Sequence, residues 1–441
     1  MPPLWSSLQQ WRVSRRALRA SDGRALLLRG VNIANAHKQA PYFGFHRLDD
    51  FRRIRDEWSM NAVRLLISWA AIEPERDSYD TSYLDRLTER LDWARDARLW
   101  VVLDMHQDVY GEAFGGNGAP RWTCRPEAYA GFEPSDPWFL DYLKPQVVDA
   151  FNRFWSDLDL QQKYFDAWGQ VAARFADHPA VVGFDPMNEP FWGTIEVTHF
   201  ESQVLHSFYE RLVHAVRRLA PHWVAFIEPC SSRNLGVRTH LRPFSFSHVV
   251  YAPHSYDLGA EAGHGFDPLR RSALIENIAA LDKEAQRLGA ALWIGEYGGN
   301  AAHPGISEYM DAQFEGAGRV AAGSMYWAYD RDAGYGLLDP HGNEKPELLA
   351  ALVRPYPELI NGDPISIGFD ATTREFQCTW LSGAPEAGPS EISVPGCVYP
   401  TGYHASVEEH DHIEFDERPG RLCVANVPAG RRVTLRLAAN D

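Results

Sequence analysis

The sequence predicts an α/β chain: a (β/α)8 TIM barrel followed by a C-terminal antiparallel β-sandwich. Short apolar runs that end in polar residues recur eight times between Ala25 and Ala328, as buried parallel strands do. Segments with apolar residues at helical spacing separate most of them, which is the βα repeat of a parallel sheet. From about Pro355 the apolar residues alternate in short runs between Gly and Pro turns, a sandwich signal. A chain of 441 residues accommodates a barrel of about 250 residues or more and a smaller module. We expect the barrel, with an N-terminal hairpin, at 1–354 and the sandwich at 355–441.

Residues 11–31 read as a hairpin around Ser21-Asp22-Gly23, and Ala25–Asn32 leave it as the first barrel strand. A loop from Ala34 to Phe45 carries Lys38, Tyr42, Phe43 and Phe45. Leu48, Phe51, Ile54 and Trp58 mark a helix behind the capping candidates Asp49 and Asp50. Ala62–Ile67 is the second strand, Leu84, Leu87, Leu91 and Ala94 the next helix, and Trp100–His106 the third strand. The rhythm then breaks. Residues 107 to about 147 are rich in Gly, Pro and aromatics (Tyr110, Phe114, Trp122, Tyr129, Phe132, Trp138, Phe139, Tyr142). A loop of that length is usually functional, and we read it as a lid or groove wall, or as a lid that only packs on the barrel. Phe165 to Phe175 resume the helices. The fourth strand begins at Val181 and runs toward Asn188-Glu189-Pro190. Leu205–Leu219 is helical, Trp223–Pro229 and Val249–His254 are strands five and six, and a helix from Leu269 to Leu288 leads to Ala291–Glu296, strand seven. Gly323–Ala328 is strand eight. In the C-terminal part, Glu375–Trp380, Glu391–Val394, Leu422–Val427 and Arg432–Leu437 are the expected strands.

Composition bounds the function classes. A formal net charge of −16 argues against nucleic acid and anionic membrane surfaces, which select basic patches. Fifteen Trp supply core and also flat faces on which sugar rings stack. Five Cys (Cys124, Cys230, Cys378, Cys397, Cys423) contain no Cys-x-x-Cys, so neither a structural zinc site nor a thioredoxin-like motif is expected. They read as buried thiols, or, for one pair among the last three, as a disulfide in an oxidising compartment. Met1–Ser6 lack the basic region and apolar run of a secretory signal, and no stretch nears the roughly 20 apolar residues of a membrane span. The expectation is a cytoplasmic chain, or a secreted one whose signal has been removed.

Barrel enzymes keep their active sites at the carboxyl ends of the strands. The polar residues there are Arg64, His106, Asp108, Asn188, Glu189, His254, Tyr256, Glu296 and Trp327. Singly, each is more often a satisfied structural residue; their joint occurrence shifts the odds. Two glutamates at the ends of two strands are what glycoside hydrolysis requires: Glu189 as acid/base and Glu296 as nucleophile. Glu228-Pro229 ends another strand much as Glu189-Pro190 does, and is read as a decoy. Glu296 must be ionised to attack, with Arg64 and Tyr256 as candidates to hold its pKa down. Glu189 must stay protonated, in a less polar niche. Asn188 is placed for a sugar 2-hydroxyl. His106, His254 and Asp108 suit other hydroxyls or orientation of the acid, and Trp327 offers a face to a pyranose ring.

Asn188-Glu189-Pro190 after the fourth strand, with Glu296 on the seventh, resembles the family-five retaining glycoside hydrolases. Arg64, His106, His254, Tyr256 and Trp327 fall where that family keeps active-site residues. Leu103–Tyr110, Gly30-Val31-Asn32 leading to Lys38, and the barrel-plus-sandwich plan resemble the endoglycoceramidase and glycosylceramidase branch. The resemblance covers essentially the whole chain. It implies retention through a glycosyl-enzyme, no metal or other cofactor, and Lys38, Asp108 and Asn188 as sugar-binding positions. It also implies cleavage of the β-glycosidic bond between a glycan and a lipid such as ceramide. An apolar groove for the lipid, transient contact with micelles or a membrane surface, and no obligate protein partner would follow. The alternatives are a relative acting on β-glucans or other non-lipid glycosides, and a carbohydrate-binding barrel without catalysis.

Overall fold

The computed structural model describes residues 5, 8–34, 37–408 and 413–440. Most of the stretch read for a secretory signal, and residues 35–36 of the loop after the first strand, lie outside them. Three short strands, β1 (Arg12–Ser14), β2 (Ala17–Arg19) and β3 (Ala25–Leu26), come first. Eight more form the barrel: β4 (Arg29–Ile33), β5 (Ala62–Ile67), β6 (Trp100–Met105), β7 (Val181–Asp185), β8 (Val224–Ile227), β9 (Val249–Tyr251), β10 (Ala291–Tyr297) and β11 (Gly323–Tyr326). They pair in parallel and close in the order β10-β11-β4-β5-β6-β7-β8-β9.

Strands β5, β6, β7 and β10 are buried at every position, which is why they read as continuous apolar runs. Their alternation still sorts the side chains. Trp100 and Val102 point into the barrel with Ala62, Phe226, Val250, Trp293 and Met325. Val101 and Leu103 face the helix layer instead. Continuing the inward series past Ala62 on β5 gives Arg64, and past Val102 on β6 gives Asp104. On β10, strict alternation from Trp293 would turn Glu296 outward. An irregularity in the register between Ile294 and Tyr297 changes the phase, as bulges beside active sites do.

The first barrel strand is β4, shorter than the expected 25–32. Ala25 and Leu26 belong to a different sheet, where they pair with Arg19 and with Ile360 and Leu359. The hairpin expected around Ser21-Asp22-Gly23 joins β2 to β3, with Arg19 opposite Ala25, and a second hairpin precedes it, turning at Arg15 and Arg16, both with positive φ. Asp49 and Asp50 are not the cap: Arg47 is, and the Asp50 carboxylate accepts its N–H at 2.8 Å. Helices run at Thr81–Asp96, Leu158–Phe175, His206–Arg217 and Arg271–Leu288 as the spacing predicts. The helix Ile306–Arg319 was hidden by its glycines. A Cβ on Gly316 would come within 2.5 Å of Ile278 Cδ1, so glycine there serves the close packing of this helix on Arg271–Leu288.

The aromatic insertion after β6 holds only short helical turns, among them Glu112–Phe114, Pro126–Tyr129 and Trp138–Leu143. Tyr110 and Phe114 are core residues, and Trp122, Tyr129, Phe132 and Tyr142 pack partly buried against that core. Trp138 and Phe139 point to solvent. Most of the expected lid is therefore packing.

The C-terminal strands are β12 (Tyr356–Ile360), β13 (Gly362–Asp370), β14 (Glu375–Ser382), β15 (Ser390–Ser393), β16 (Tyr403–Val407), β17 (Glu414–Arg418), β18 (Arg421–Ala425) and β19 (Arg432–Ala439). They form two antiparallel sheets, β13-β14-β19-β16 and β1-β2-β3-β12-β15-β18-β17, around a shared core of Phe376, Trp380, Ile392, Leu422, Val433 and Leu435. The N-terminal strands thus complete the second sheet. Glu358 in β12 binds Arg55 of the barrel layer at 3.0 Å and Arg421 at 3.2 Å. All five cysteines are free, and four are buried.

Candidate active site

Arg64, fully buried on β5, is the hub. Its Nη1 donates to Glu296 Oε1 at 2.6 Å and Asn32 Oδ1 at 3.1 Å. Its Nη2 reaches Glu228 Oε1 at 2.8 Å, Asp185 Oδ2 and Asn188 Oδ1 at 2.9 Å, and Asp104 Oδ1 at 3.0 Å. Burial opposes its charge, but the four surrounding carboxylates outweigh that and raise the guanidinium pKa well above its ordinary value. Burying an ion costs several kcal/mol even after relaxation, so removing one member of such a cluster costs about 3–5 kcal/mol. Burial, and next the charge of Glu228, holds the Asp185 carboxyl well above the usual range.

Glu189 lies beyond β7, on a loop, with φ of 42°. A non-glycine residue in that region is strained by about 1–3 kcal/mol and must be held. The Glu189 N–H donates to Glu228 Oε2 at 2.8 Å, and Gln107 Nε2 donates to the carbonyls of Asn188 and Glu189, each at 3.0 Å. Asn188 is pinned between Arg64 and the carbonyl of Gln107. The Glu189 carboxylate accepts from Asn234 Nδ2 at 2.6 Å and lies 2.7 Å from His254 Nδ1. The other ring nitrogen of His254 is 3.2 Å from Glu228 Oε1. Glu228, read as a decoy, therefore holds the backbone of Glu189, the ring of His254 and Arg64 at once.

Glu296 is nearly inaccessible and is bound by Arg64 on one oxygen and by Tyr256 Oη at 3.0 Å on the other. His254 Nδ1 stands 3.5 Å from it, and one carboxylate oxygen each of Glu189 and Glu296 lie within 4.8 Å of each other. Burial raises the Glu296 pKa, and the charges of His254 and Arg64 only partly counter it. For Glu189 burial also works upward, but the bond and charge of His254 outweigh it and the pKa falls. These directions reverse the sequence expectation of a high Glu189 and a low Glu296. The physical reason is His254: against burial, the charges of Glu228 and Glu296 raise its pKa well above the usual value. The short contact between His254 Nδ1 and Glu189 gives the pair a route by which a proton can pass from the ring to the carboxyl.

A second wall joins Lys38, Asp108, His106 and Trp327. Lys38 Nζ is 2.6 Å from Asp108 Oδ2 and 4.4 Å from the centre of the Trp327 ring. His106 is stacked on Trp327 at 5.4 Å, and its Nδ1 is 2.7 Å from Asp104 Oδ2. Asn117 donates to Asp108 at 2.8 Å. Burial acts against ionisation of Asp108, yet Lys38 and His106 bring its pKa well below the ordinary value. Asp104, in contact with both Arg64 and His106, links this wall to the two glutamates. All ten side chains singled out from the sequence thus meet at one barrel mouth. Missed were Asp104, Asp185, Gln107 and Asn234. The first had a signal: it lies two residues before His106 on a strand, hence on the same face.

Among the described residues, two groups have donor atoms close enough to hold a cation, Glu189–His254–Glu296 and Asp104–Asp185–Glu228. Among the second, Arg64 already supplies the positive charge. In the first, His254 bridges the carboxylates and the chemistry open to the trio is proton transfer and attack.

The sequence model for cellulase (glycosyl hydrolase family 5) matches residues 21–333, and that for the glycoside hydrolase family 5 C-terminal domain matches residues 354–436. Endoglycoceramidase I of Rhodococcus hoagii is 29% identical over 434 residues, covering 92% of this chain and 84% of its own. Endo-glycoceramidase II from Rhodococcus sp., solved as a ganglioside GM3 complex, is 30% identical with a TM-score of 0.87, covering 97% of this chain and 100% of its own. The same enzyme solved as a lactosyl-enzyme intermediate gives 30% identity and a TM-score of 0.84, over 96% and 99% of the two chains.

Proposed function

The chain belongs to glycosyl hydrolase family 5, and from that premise we propose that it hydrolyses, with retention, the β-glycosidic bond between a glycan and the ceramide of a glycosphingolipid. The similarity to endoglycoceramidases over nearly the whole chain supports the substrate class, and the lactosyl-enzyme of the Rhodococcus relative supports a covalent course. Glu296 is the nucleophile: fixed between Arg64 and Tyr256, it attacks the anomeric carbon and the bond to the aglycone oxygen breaks. Glu189, supplied with a proton by His254 before the bond breaks, gives it to that oxygen and is left as a carboxylate. It then takes a proton from the water that releases the sugar from Glu296. Lys38, Asp108 and His106 meet sugar hydroxyls, Trp327 meets the ring face, and Asn188 meets the 2-hydroxyl. Transient contact with micelles or a membrane surface is part of this reading.

The geometric observation that carries retention is the approach of one oxygen of each carboxylate to within 4.8 Å of the other. Retaining enzymes hold the groups about 5–5.5 Å apart, whereas inverting ones leave roughly 6.5–9.5 Å for a water. The test is hydrolysis of glucosylceramide, galactosylceramide, a ganglioside, a cello-oligosaccharide and an aryl β-glucoside, with product identification. Release of an intact glycan from at least one lipid, initially as the β-anomer, is expected. Turnover of the cello-oligosaccharide with none of the lipids would replace this reading with a β-glucanase.

A further inference from the structure

The barrel's exposed apolar side chains are concentrated on the catalytic face. Trp138, Phe139, Leu140 and Leu143 lie in the connection after β6, Leu235 in the one after β8, and Leu258 in the one after β9. Among the described residues, only Leu219 does so in a connection that leads into a barrel strand. Scattered exposed apolar residues are ordinary, but a concentration beside a substrate site marks an interaction surface.

The segment Trp138–Leu143 is the most developed part of this rim. Its inner side is fastened. The buried Asp141 carboxylate takes the Ser135 N–H at 2.9 Å and Lys144 Nζ at 2.8 Å. Tyr142 packs on Phe151 and, at 5.0 Å, on Phe191, two residues from Glu189. Its outer side presents Trp138, Phe139, Leu140 and Leu143 at 53, 49, 42 and 70% exposure. Nothing in the hydrogen-bonded frame requires these to be apolar, so solubility alone would favour polar residues there.

We propose that this rim docks on the lipid–water surface that presents the substrate, with the outer side chains of Trp138–Leu143 entering the lipid. The proposal rests on the glycosphingolipid reading above. The general acid protonates the leaving oxygen, so the aglycone lies on the side of Glu189, where the ridge continues through Tyr142 and Phe191. An amphipathic segment with Trp and Leu on its outer face suits a membrane interface. A second copy of the chain is disfavoured by a net charge of −16 on each. The same charge makes the contact apolar rather than electrostatic, so neutral lipid suffices.

The test compares the full chain with a double variant, Trp138→Ser with Leu143→Ser, neither residue being part of the catalytic machinery. Co-sedimentation with phosphatidylcholine vesicles free of substrate should fall about tenfold or more. Hydrolysis of glucosylceramide within such vesicles should fall by a similar factor, and hydrolysis of an aryl β-glucoside in water should stay within about twofold, which also shows the variant to be folded. Unchanged vesicle binding in the variant would overturn the proposal. So would concentration-dependent dimers of the parent that the substitutions abolish, since the rim would then be a self-association surface. Vesicle binding lost on substitution, in a parent that cleaves no glycosphingolipid, would support the docking surface and defeat the substrate reading instead.

Discussion

The floor and the rim of the barrel mouth are built on opposite plans. The floor is buried and highly charged: Arg64, Asp104, Asp185, Glu228 and Glu296 lie within a few ångströms of one another and are almost fully inaccessible. The rim carries apolar side chains in solvent. Charge under cover and hydrocarbon in the open both carry a cost in stability, and the two costs have different uses. The floor fixes the pKa values and directions of the reacting groups; the rim governs how a substrate arrives. Changes to the floor should therefore affect every substrate, whereas changes to the rim should affect only those presented in lipid.

The largest effect is expected from Glu296→Ala, a loss of roughly 10⁴-fold or more in kcat on soluble and lipid substrates alike, as for other covalent nucleophiles. Azide should restore turnover and give the α-glycosyl azide; near-normal turnover without azide would remove Glu296 from its role. Glu189→Ala should lower rates about 10²–10⁴-fold on poor leaving groups and far less on activated aryl glycosides. Equal losses on both would mean it is not the acid.

Glu228→Gln tests whether the floor acts beyond mere support. Hydrogen bonds to charged groups contribute about 1.5–3 kcal/mol, so a loss of roughly 10–100-fold is expected. The sign for pH follows from His254, whose pKa Glu228 raises. Without that anion the imidazolium loses its proton at lower pH, and the basic limb of kcat/KM should move down. A purely structural loss would leave the limb in place. Tyr256→Phe should displace the opposite limb. Burial already raises the Glu296 pKa, and removing a donor to its ionised form raises it further, so activity should fall away at a higher pH on the acid side. An unmoved acid limb would show that Tyr256 does not govern ionisation. The smallest effect is expected from Asn234→Ala, where floor meets rim: loss of one bond to Glu189 should cost about 1 kcal/mol, a few-fold in rate. Here the loss should be the same in water and in vesicles, which would place Asn234 with the floor.

The eight strands were legible because burial on both faces makes a parallel strand a continuous apolar run, as in Ala62–Ile67 and Ala291–Tyr297. Nine of the candidate side chains were singled out because a barrel exposes reactive groups where such runs end; Lys38, in the loop after the first strand, came only with the family resemblance. Elements whose identity depends on a partner were not. Ala25-Leu26 reads as the start of the barrel, yet pairs with Leu359 and Ile360 more than three hundred residues away. Ile306–Arg319 needs Gly316 against Ile278 to make sense of its glycines.

By itself, then, the sequence determined the architecture and the reacting residue types, since hydrophobic periodicity and strand-end chemistry are properties of local order along the chain. Only the tertiary structure decided what Glu228 is. It also decided that His254 stands between the acid, the nucleophile and Glu228, and which aromatics of the long insertion face solvent. Those outcomes depend on distances of about 3 Å between groups far apart in sequence and on the burial that gives each charge its strength, and neither is written in the order of the residues.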